Sequence, residues 1–382
     1  MEIKTIEEIN QYIGSTVKPL DNPDRVYELY SVPSFESQHP EIIKGADIGS
    51  SKITVEEGDV LVCKINPRIN RVWVVKRHTS YPLLASSEWI VIRNCDIDSD
   101  YLKWYFSSPT FRNLLVSQVA GIGGSLTRAQ PKRVAKYPVP LVEKEEQRRI
   151  AALLDKVSDL IAKRRAQLDK LDELVKARFV EMFGDPVSNS KGWDKGTIRD
   201  VVSEVKYGTS KPAIDGGAYK YLRMGNITFD GRLDLSDLKY IDIPDSELEK
   251  YMVRKGDVLF NRTNSKELVG KTCVFDLNEP MVIAGYIIRV RVNSKVLPIY
   301  LSAVLNSQYG KQTLADMCKA IVGQANINAQ ELQDIAILIP PIELQEKFSD
   351  YAETIKKSKL TIQQSLDKLE VLRKALMQQY FG

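Results

Sequence analysis

Gly58-Asp59-Val60-Leu61 returns as Gly256-Asp257-Val258-Leu259, 198 residues later. Leu168-Asp169-Lys170-Leu171 returns as Leu366-Asp367-Lys368-Leu369, Lys176-Ala177 as Lys374-Ala375, and Phe183-Gly184 as Phe381-Gly382. All four pairs share one offset, so one unit is written twice with no net gap. Each copy is far longer than the roughly 20–50 residues of a solenoid repeat, which makes this a duplicated domain and not an array. Two similar units imply a pseudo-dyad, and the natural partner of a two-fold object is another two-fold object.

Within the first copy, Asp59 to Ile65, Arg71 to Val75 and Trp89 to Ile92 are short apolar, β-branched runs and read as strands. Tyr101 to Val119 reads as a helix broken near Pro109, and Gly121-Ile122-Gly123-Gly124-Ser125 as a loop. The second copy opens at Arg199 to Val205 and has strands at Val258 to Phe260 and Gly285 to Val292. Lys206-Tyr207-Gly208-Thr209-Ser210-Lys211-Pro212 loosely echoes Gly14 to Pro19.

Each copy ends in a long helical stretch. No Pro or Gly occurs from Glu143 until Gly184, and Gly184-Asp185-Pro186 supplies a helix stop. Leu154, Ile161, Leu168, Val175 and Met182 recur every seven residues, beside a second row of Ile150, Val157, Arg164, Leu171 and Arg178. The final helix, about Glu343 to Tyr380, carries Phe348, Ile355, Ile362, Leu369 and Leu376 at the same spacing. Interleaved apolar rows of this kind form a coiled-coil seam. A seam needs a partner, and the economical one is the other copy; each helix lying on its own domain is the alternative. The expected fold class is α+β: two similar α/β domains, residues 1–142 and 185–341, separated by a two-helix antiparallel coiled coil made of 143–184 and 342–382, with a pseudo-twofold internal repeat. A helix of about 38 residues spans roughly 57 Å. DNA rises about 3.4 Å per base pair, so such a rod holds its two units roughly one to one and a half duplex turns apart. That is the logic of dyad-symmetric DNA readers, built from one chain.

The 382 residues carry a net charge of +4, unevenly spread. Tyr101 to Val142 holds no acid but has Lys103, Arg112, Arg128, Lys132, Arg133 and Lys136. Val60 to Ser87 is also acid-free, and Met281 to Ala315 repeats the pattern more weakly. Acid-free zones in each unit suit a polyanion, or a solvated face. Cys63, Cys95, Cys273 and Cys318 are scattered, which argues against a thiolate metal site and for reduced, structural thiols in the cytoplasm. With only His39 and His78, neither a zinc site nor a His-based triad is expected. There is no P-loop, no dinucleotide fingerprint, no Asn-Pro-Pro-aromatic tetrapeptide, no apolar run of membrane-spanning length and no signal peptide.

Tyr137-Pro138-Val139-Pro140-Leu141 followed by Glu146-Gln147-Arg148-Arg149-Ile150, and Ile339-Pro340-Pro341-Ile342-Glu343-Leu344-Gln345, are two Pro-rich exits into long helices. With the stretch Gly256 to Asn264 and then Glu267 to Lys271, the order resembles the specificity subunit of a type I restriction–modification system, over essentially the whole chain. Two features depart from that pattern. Three extra residues separate the last Pro of the first exit from its Gln, and Gly208-Thr209-Ser210 stands where Gly-Thr-Pro is common. The resemblance implies two target-recognition domains and no chemistry in this chain. It also implies partners: double-stranded DNA read as a bipartite site, two modification (methyltransferase) subunits, and restriction/translocase subunits. S-adenosylmethionine, ATP and Mg would belong to those partners, and no cofactor to this chain.

DNA-contacting candidates are basic and polar loop residues able to reach base edges or phosphates. In the second unit these are Tyr207, Thr209, Lys211, Asn261, Arg262, Thr263, Asn264, Lys266, Gln324, Asn326 and Asn328; in the first, Lys64, Asn66, Arg68, Asn70, Arg71, Ser125, Thr127 and Arg128. Arg262 is the foremost. Competing readings are a coiled-coil scaffold that binds only proteins, which the Arg/Asn loops disfavour, and a stand-alone nuclease, which the lack of a catalytic constellation disfavours.

Overall fold

The computed structural model describes residues 2–117, 127–318 and 325–382. The chain forms two compact units, Met1–Arg165 with Gln363–Gly382, and Ala166–Ile362. The boundaries therefore fall inside the long helices, Lys144–Phe183 and Ile342–Phe381, and each helix begins in one unit and ends in the other.

In the first unit, Val72–Val74, Val60–Cys63 and Trp89–Ile92 form a three-stranded sheet in that order. Both faces of this sheet are covered. Side chains alternate across a strand, so Val60 and Val62 join the core beneath Ser99–Phe106 and Pro109–Ser117, while Leu61 and Cys63 join Trp73, Trp89 and Tyr30 on the other face. This is why the Val60–Cys63 run reads as continuous apolar sequence. A five-stranded sheet lies beyond, ordered Thr16–Val17, Lys52–Thr54, Leu83–Ser86, Val26–Tyr30, Glu41–Lys44. Glu2–Thr5 pairs antiparallel with the Pro-rich exit Pro138–Leu141.

The second unit repeats the scheme. Val258–Asn261 is central in the order Val202–Tyr207, Ile287–Val292, Val258–Asn261, Thr272–Val274. Val258 and Phe260 face the helices Pro298–Asn306 and Gln308–Met317, and Leu259 faces a second four-stranded sheet, ordered Lys239–Ile241, Tyr219–Leu222, Met281–Ile283, Met252–Val253. Asp194–Thr197 pairs with Ala336–Ile339. The repeated Gly-Asp turn has one mechanism in both copies. Gly58 and Gly256 have φ of 91° and 97°, a region that favours glycine. The following carboxylate is buried and receives an arginine: Asp59 from Arg93 (2.7 Å) and Asp257 from Arg291 (2.9 Å).

The three extra residues at the first helix entry leave the register intact. Gln147 Oε1 accepts from Asp98 N–H (2.9 Å) and its amide donates to the Val142 carbonyl (2.8 Å). Gln345 Oε1 accepts from Leu297 N–H (2.8 Å) and its amide donates to the Pro340 carbonyl (2.8 Å). The two glutamines keep the 198-residue offset, so Gln, not the last Pro, marks the entry. The echo between Gly14–Pro19 and Lys206–Pro212 fails. Thr16–Val17 pairs with Lys52–Thr54, whereas Val202–Tyr207 pairs with Ile287–Val292.

Inside each unit the start of one long helix packs on the end of the other. In the first, Ile150 and Leu154 share a core with Met377 and Phe381, and Arg165 pairs with Glu370 (2.6 Å). In the second, Phe179 and Phe183 lie 5.6 and 5.5 Å from the Phe348 ring, and Asp172 pairs with Lys359. Residue numbers rise on one helix as they fall on the other, so the packed stretches run antiparallel within each unit. Arg164 and Arg178, the charged seam positions, are half-buried, as expected for stems lying along apolar surface.

Candidate nucleic-acid interface

The loop after each central strand meets the segment before each Pro-rich exit. In the second unit Thr263 pairs with Asn326 and Asn264 with Ala325. In the first, Ile65 bridges to Arg128, the same pairing 198 residues earlier. Asn66 N–H donates to the Thr127 carbonyl (3.0 Å) and Ile327 N–H to the Arg262 carbonyl (2.8 Å). The fold therefore brings the Lys64–Arg71 loop to Thr127 and Arg128, and the Asn261–Lys266 loop to Asn326 and Asn328. Ser125, Gln324 and the Gly121–Ser125 loop lie outside the described residues.

Several candidates turn inward. Thr127, Thr209, Asn261 and Thr263 are only 5%, 2%, 0% and 9% exposed, and their chemistry serves the fold. Thr263 Oγ1 donates to Asn326 Oδ1 (3.0 Å), and Thr209 Oγ1 accepts from Lys211 N–H (3.2 Å). Asn328 caps the short helix Ala329–Gln333, accepting from Gln330 and Glu331 N–H (2.8 and 3.0 Å). Asn70 donates to the Phe106 carbonyl (2.7 Å). Lys211 pairs with Glu247 (3.0 Å), Arg128 with Glu88 (3.0 Å), and Arg71 lies 3.6 Å from Glu36.

Other candidates are accessible. Arg68, Arg128, Lys266 and Asn326 are exposed, and Lys64, Asn66 and Asn264 half-exposed. Arg262 is the best prepared. Its guanidinium lies over the Tyr207 ring, 4.6 Å from the centroid, and among the described residues no carboxylate pairs with it. Its N–H donates to the Tyr286 carbonyl (2.9 Å). The Tyr207 hydroxyl accepts from Ala329 N–H (2.8 Å), fixing the ring. An arginine stacked on an aromatic face keeps its five-donor fork pre-organised while its charge stays available. Tyr286, 51% exposed, stands beside it; it lies just before the strand Ile287–Val292, far from the Arg/Asn loop in sequence, so no local pattern marks it.

Behind these loops the charge is compensated. Burial raises the Glu204 carboxyl, but Lys206, Arg289 and Arg291 outweigh it and hold it below the usual range. Cys63, Cys273 and Cys318 are buried and Cys95 is exposed, so the last does not share the structural role expected of all four. Burial pushes the Cys273 thiol up to about 12. Among the described residues no group of three or more His, Cys, Asp or Glu is placed to hold a metal ion, and no helix is long and apolar enough to cross a membrane.

Residues 190–371, most of the second unit and much of the last helix, match the type I restriction modification DNA specificity domain. Over those residues the chain is similar to the type I restriction–modification specificity family. It is 24% identical over 284 residues to the type I restriction enzyme EcoKI specificity subunit of Escherichia coli (strain K12), covering 68% of this chain and 61% of that one. It is 27% identical over 193 residues to the putative type I restriction enzyme MjaX specificity subunit of Methanocaldococcus jannaschii, covering 50% and 45%. The chain thus spans less than two thirds of the length of these relatives. The fold is similar to that of the type-I restriction-modification system S subunit from M. genitalium (TM-score 0.58, 12% identity, 100% and 96% covered). A solved chain from work on complex assembly and conformational transition of the type I R-M system gives TM-score 0.61 at 19% identity, with 100% and 97% covered.

Proposed function

We propose that this chain is the DNA sequence-specificity subunit of a type I restriction–modification complex, non-catalytic itself and acting in the cytoplasm. Each unit reads one half of a bipartite target, the paired long helices set the spacing between the readers, and their outer faces dock two methyltransferase subunits. Restriction/translocase subunits join that assembly. S-adenosylmethionine, ATP and Mg act in the partners.

The internal repeat carries this reading. Both units place a basic, Asn-bearing loop against the segment before the Pro-rich exit, and the specificity-domain match falls on one of the two. Within these paired loops the reading assigns DNA contact to Lys64, Asn66, Arg68, Arg128, Tyr207, Arg262, Asn264, Lys266 and Asn326. Mapping methylated adenines across the genome with and without this gene tests it. A set of adenines methylated only with the gene, in a two-part motif of constant gap, is expected; an unchanged methylation map refutes it.

A further inference from the structure

Strand register and helix caps define equivalences between the two units that matching letters do not. The loop at residues 63–71 lies between the paired Val62 and Val72, and the loop at 261–271 between the paired Phe260 and Thr272. Lys271 therefore stands where Arg71 stands. The backbone agrees: Cys63 N–H donates to the Arg71 carbonyl (3.0 Å) and Asn261 N–H to the Lys271 carbonyl (2.9 Å). Ser108 and Ser307 cap equivalent helices, each accepting at 3.1 Å from the residue three positions on. Arg112 N–H then donates to the Ser108 carbonyl (3.0 Å) and Lys311 N–H to the Ser307 carbonyl (2.9 Å). Each unit thus sets one cation at the foot of its loop and another in the first turns of this helix.

In the second unit both cations lack a counter-charge among the described residues. Lys271 is 8% exposed, and its ammonium donates to one carbonyl, Met224 (2.8 Å). The Lys311 ammonium lies 3.5 Å from the Gly270 carbonyl and 5.0 Å from the centroid of the Phe229 ring. Among the described residues no carboxylate pairs with either lysine. A buried, unpaired ammonium is costly, and a second one nearby adds repulsion. Burial, then the charges of Lys271 and Lys176, push Lys311 down to about 8. Carbonyls and an aromatic face solvate this pair without neutralising it. A phosphate would do so, since lysine binds phosphate as a point charge. The first unit differs, because Glu36 lies 3.6 Å from Arg71.

We propose that Lys271 and Lys311 form a phosphate-binding site in the second unit, filled by a backbone phosphate of the duplex. The site rests on the DNA-reading role, and its own test is separate. The full chain is titrated with cognate and random duplexes over a series of salt concentrations. Lys311→Met weakens both duplexes equally and lowers the slope of log affinity against log salt by about 0.9, the share of one phosphate. Lys311→Arg keeps the slope. Without DNA, Lys311→Met melts at a higher temperature than the parent, because an unneutralised cation is gone; a lysine with a structural role gives the opposite sign. An unchanged slope in Lys311→Met overturns the site. So does inorganic phosphate protecting the parent chain from melting as well as duplex does, which would assign the site to a free ion. A parent chain that binds cognate and random duplex alike refutes the sequence-reading function instead, and the Lys311 comparison on random duplex still decides this one.

Discussion

Replacing Arg262 by Ala probes the reading function at its best-prepared residue. The guanidinium is stacked on Tyr207 at 4.6 Å and has no carboxylate partner among the described residues, so its removal breaks no ion pair of the fold. Stability should change little. A guanidinium bidentate to guanine contributes about 1–3 kcal/mol of discrimination, which is roughly 5- to 150-fold in the ratio of cognate to substituted-site affinity. Arg262→Lys keeps the charge but loses the planar fork; discrimination stays low while the salt dependence is kept. Tyr207→Ala removes the aromatic shelf, a loss of about 0.5–2 kcal/mol by itself. Tyr207→Phe, which loses only the acceptor for Ala329 N–H, should cost less. The assay is competition binding of a cognate duplex against duplexes altered at one base pair. If Arg262→Ala weakens cognate and random duplex by the same factor, the side chain contacts phosphate, and the assignment of base reading to this loop is wrong.

Other substitutions test the repeat and the charge balance. Gly58→Ala and Gly256→Ala force a side chain into left-handed backbone and should each destabilise by about 1 kcal/mol or more, read as lower melting temperatures. Arg93→Ala leaves the buried Asp59 carboxylate without its bidentate partner and should cost about 3–5 kcal/mol in denaturant unfolding. Stability should also depend on pH through Lys311. Its folded value of about 8 lies below the ordinary lysine value of 10.5, so between those limits the unfolded chain binds more protons and stability rises with pH. Below pH 8 both states are protonated and the full penalty remains. The melting-temperature advantage of Lys311→Met should therefore be greatest at pH 7 and shrink toward pH 10.5; a constant difference would place the penalty elsewhere.

The elements legible in the sequence are those whose burial is complete or strictly periodic. Trp89–Ile92 and Val60–Cys63 are apolar on both faces because cores lie on both sides, and the long helices announce themselves by their heptads. Val26–Tyr30 was hidden by Glu28 at its centre. That carboxylate is fully buried, accepting from Thr79 N–H (2.9 Å), Thr79 Oγ1 (2.7 Å) and His78 N–H (3.2 Å), a satisfaction no local pattern reveals. Glu2–Thr5 escaped for another reason: its partner is a proline-bearing segment more than 130 residues away. At the candidate interface, residue chemistry picked loops that the fold brings together but could not tell inward from outward. Asn261 and Thr209 have the composition of readers and the burial of struts, while Lys271 was passed over because its equivalence to Arg71 depends on register.

The residues shared at one offset and those that differ occupy different places. Asp59 and Asp257, Arg93 and Arg291, Gln147 and Gln345, Phe183 and Phe381 all hold turns, helix entries or cores. The loops those elements carry diverge: Lys64 stands where Arg262 stands, and among the described residues the first unit has no strand matching Val202–Tyr207 to supply an aromatic shelf. A scaffold fixed by buried pairs lets its surface loops vary at little cost to stability, since surface substitutions away from such pairs usually change it by less than about 0.5 kcal/mol. Two copies of one fold can then present unlike surfaces. If each reads DNA, the two halves of the target should differ in sequence, and grafting residues 261–266 onto the first unit should move its half-site toward that of the second. Should the graft leave the first half-site unchanged in a methylation map, these loops do not set specificity.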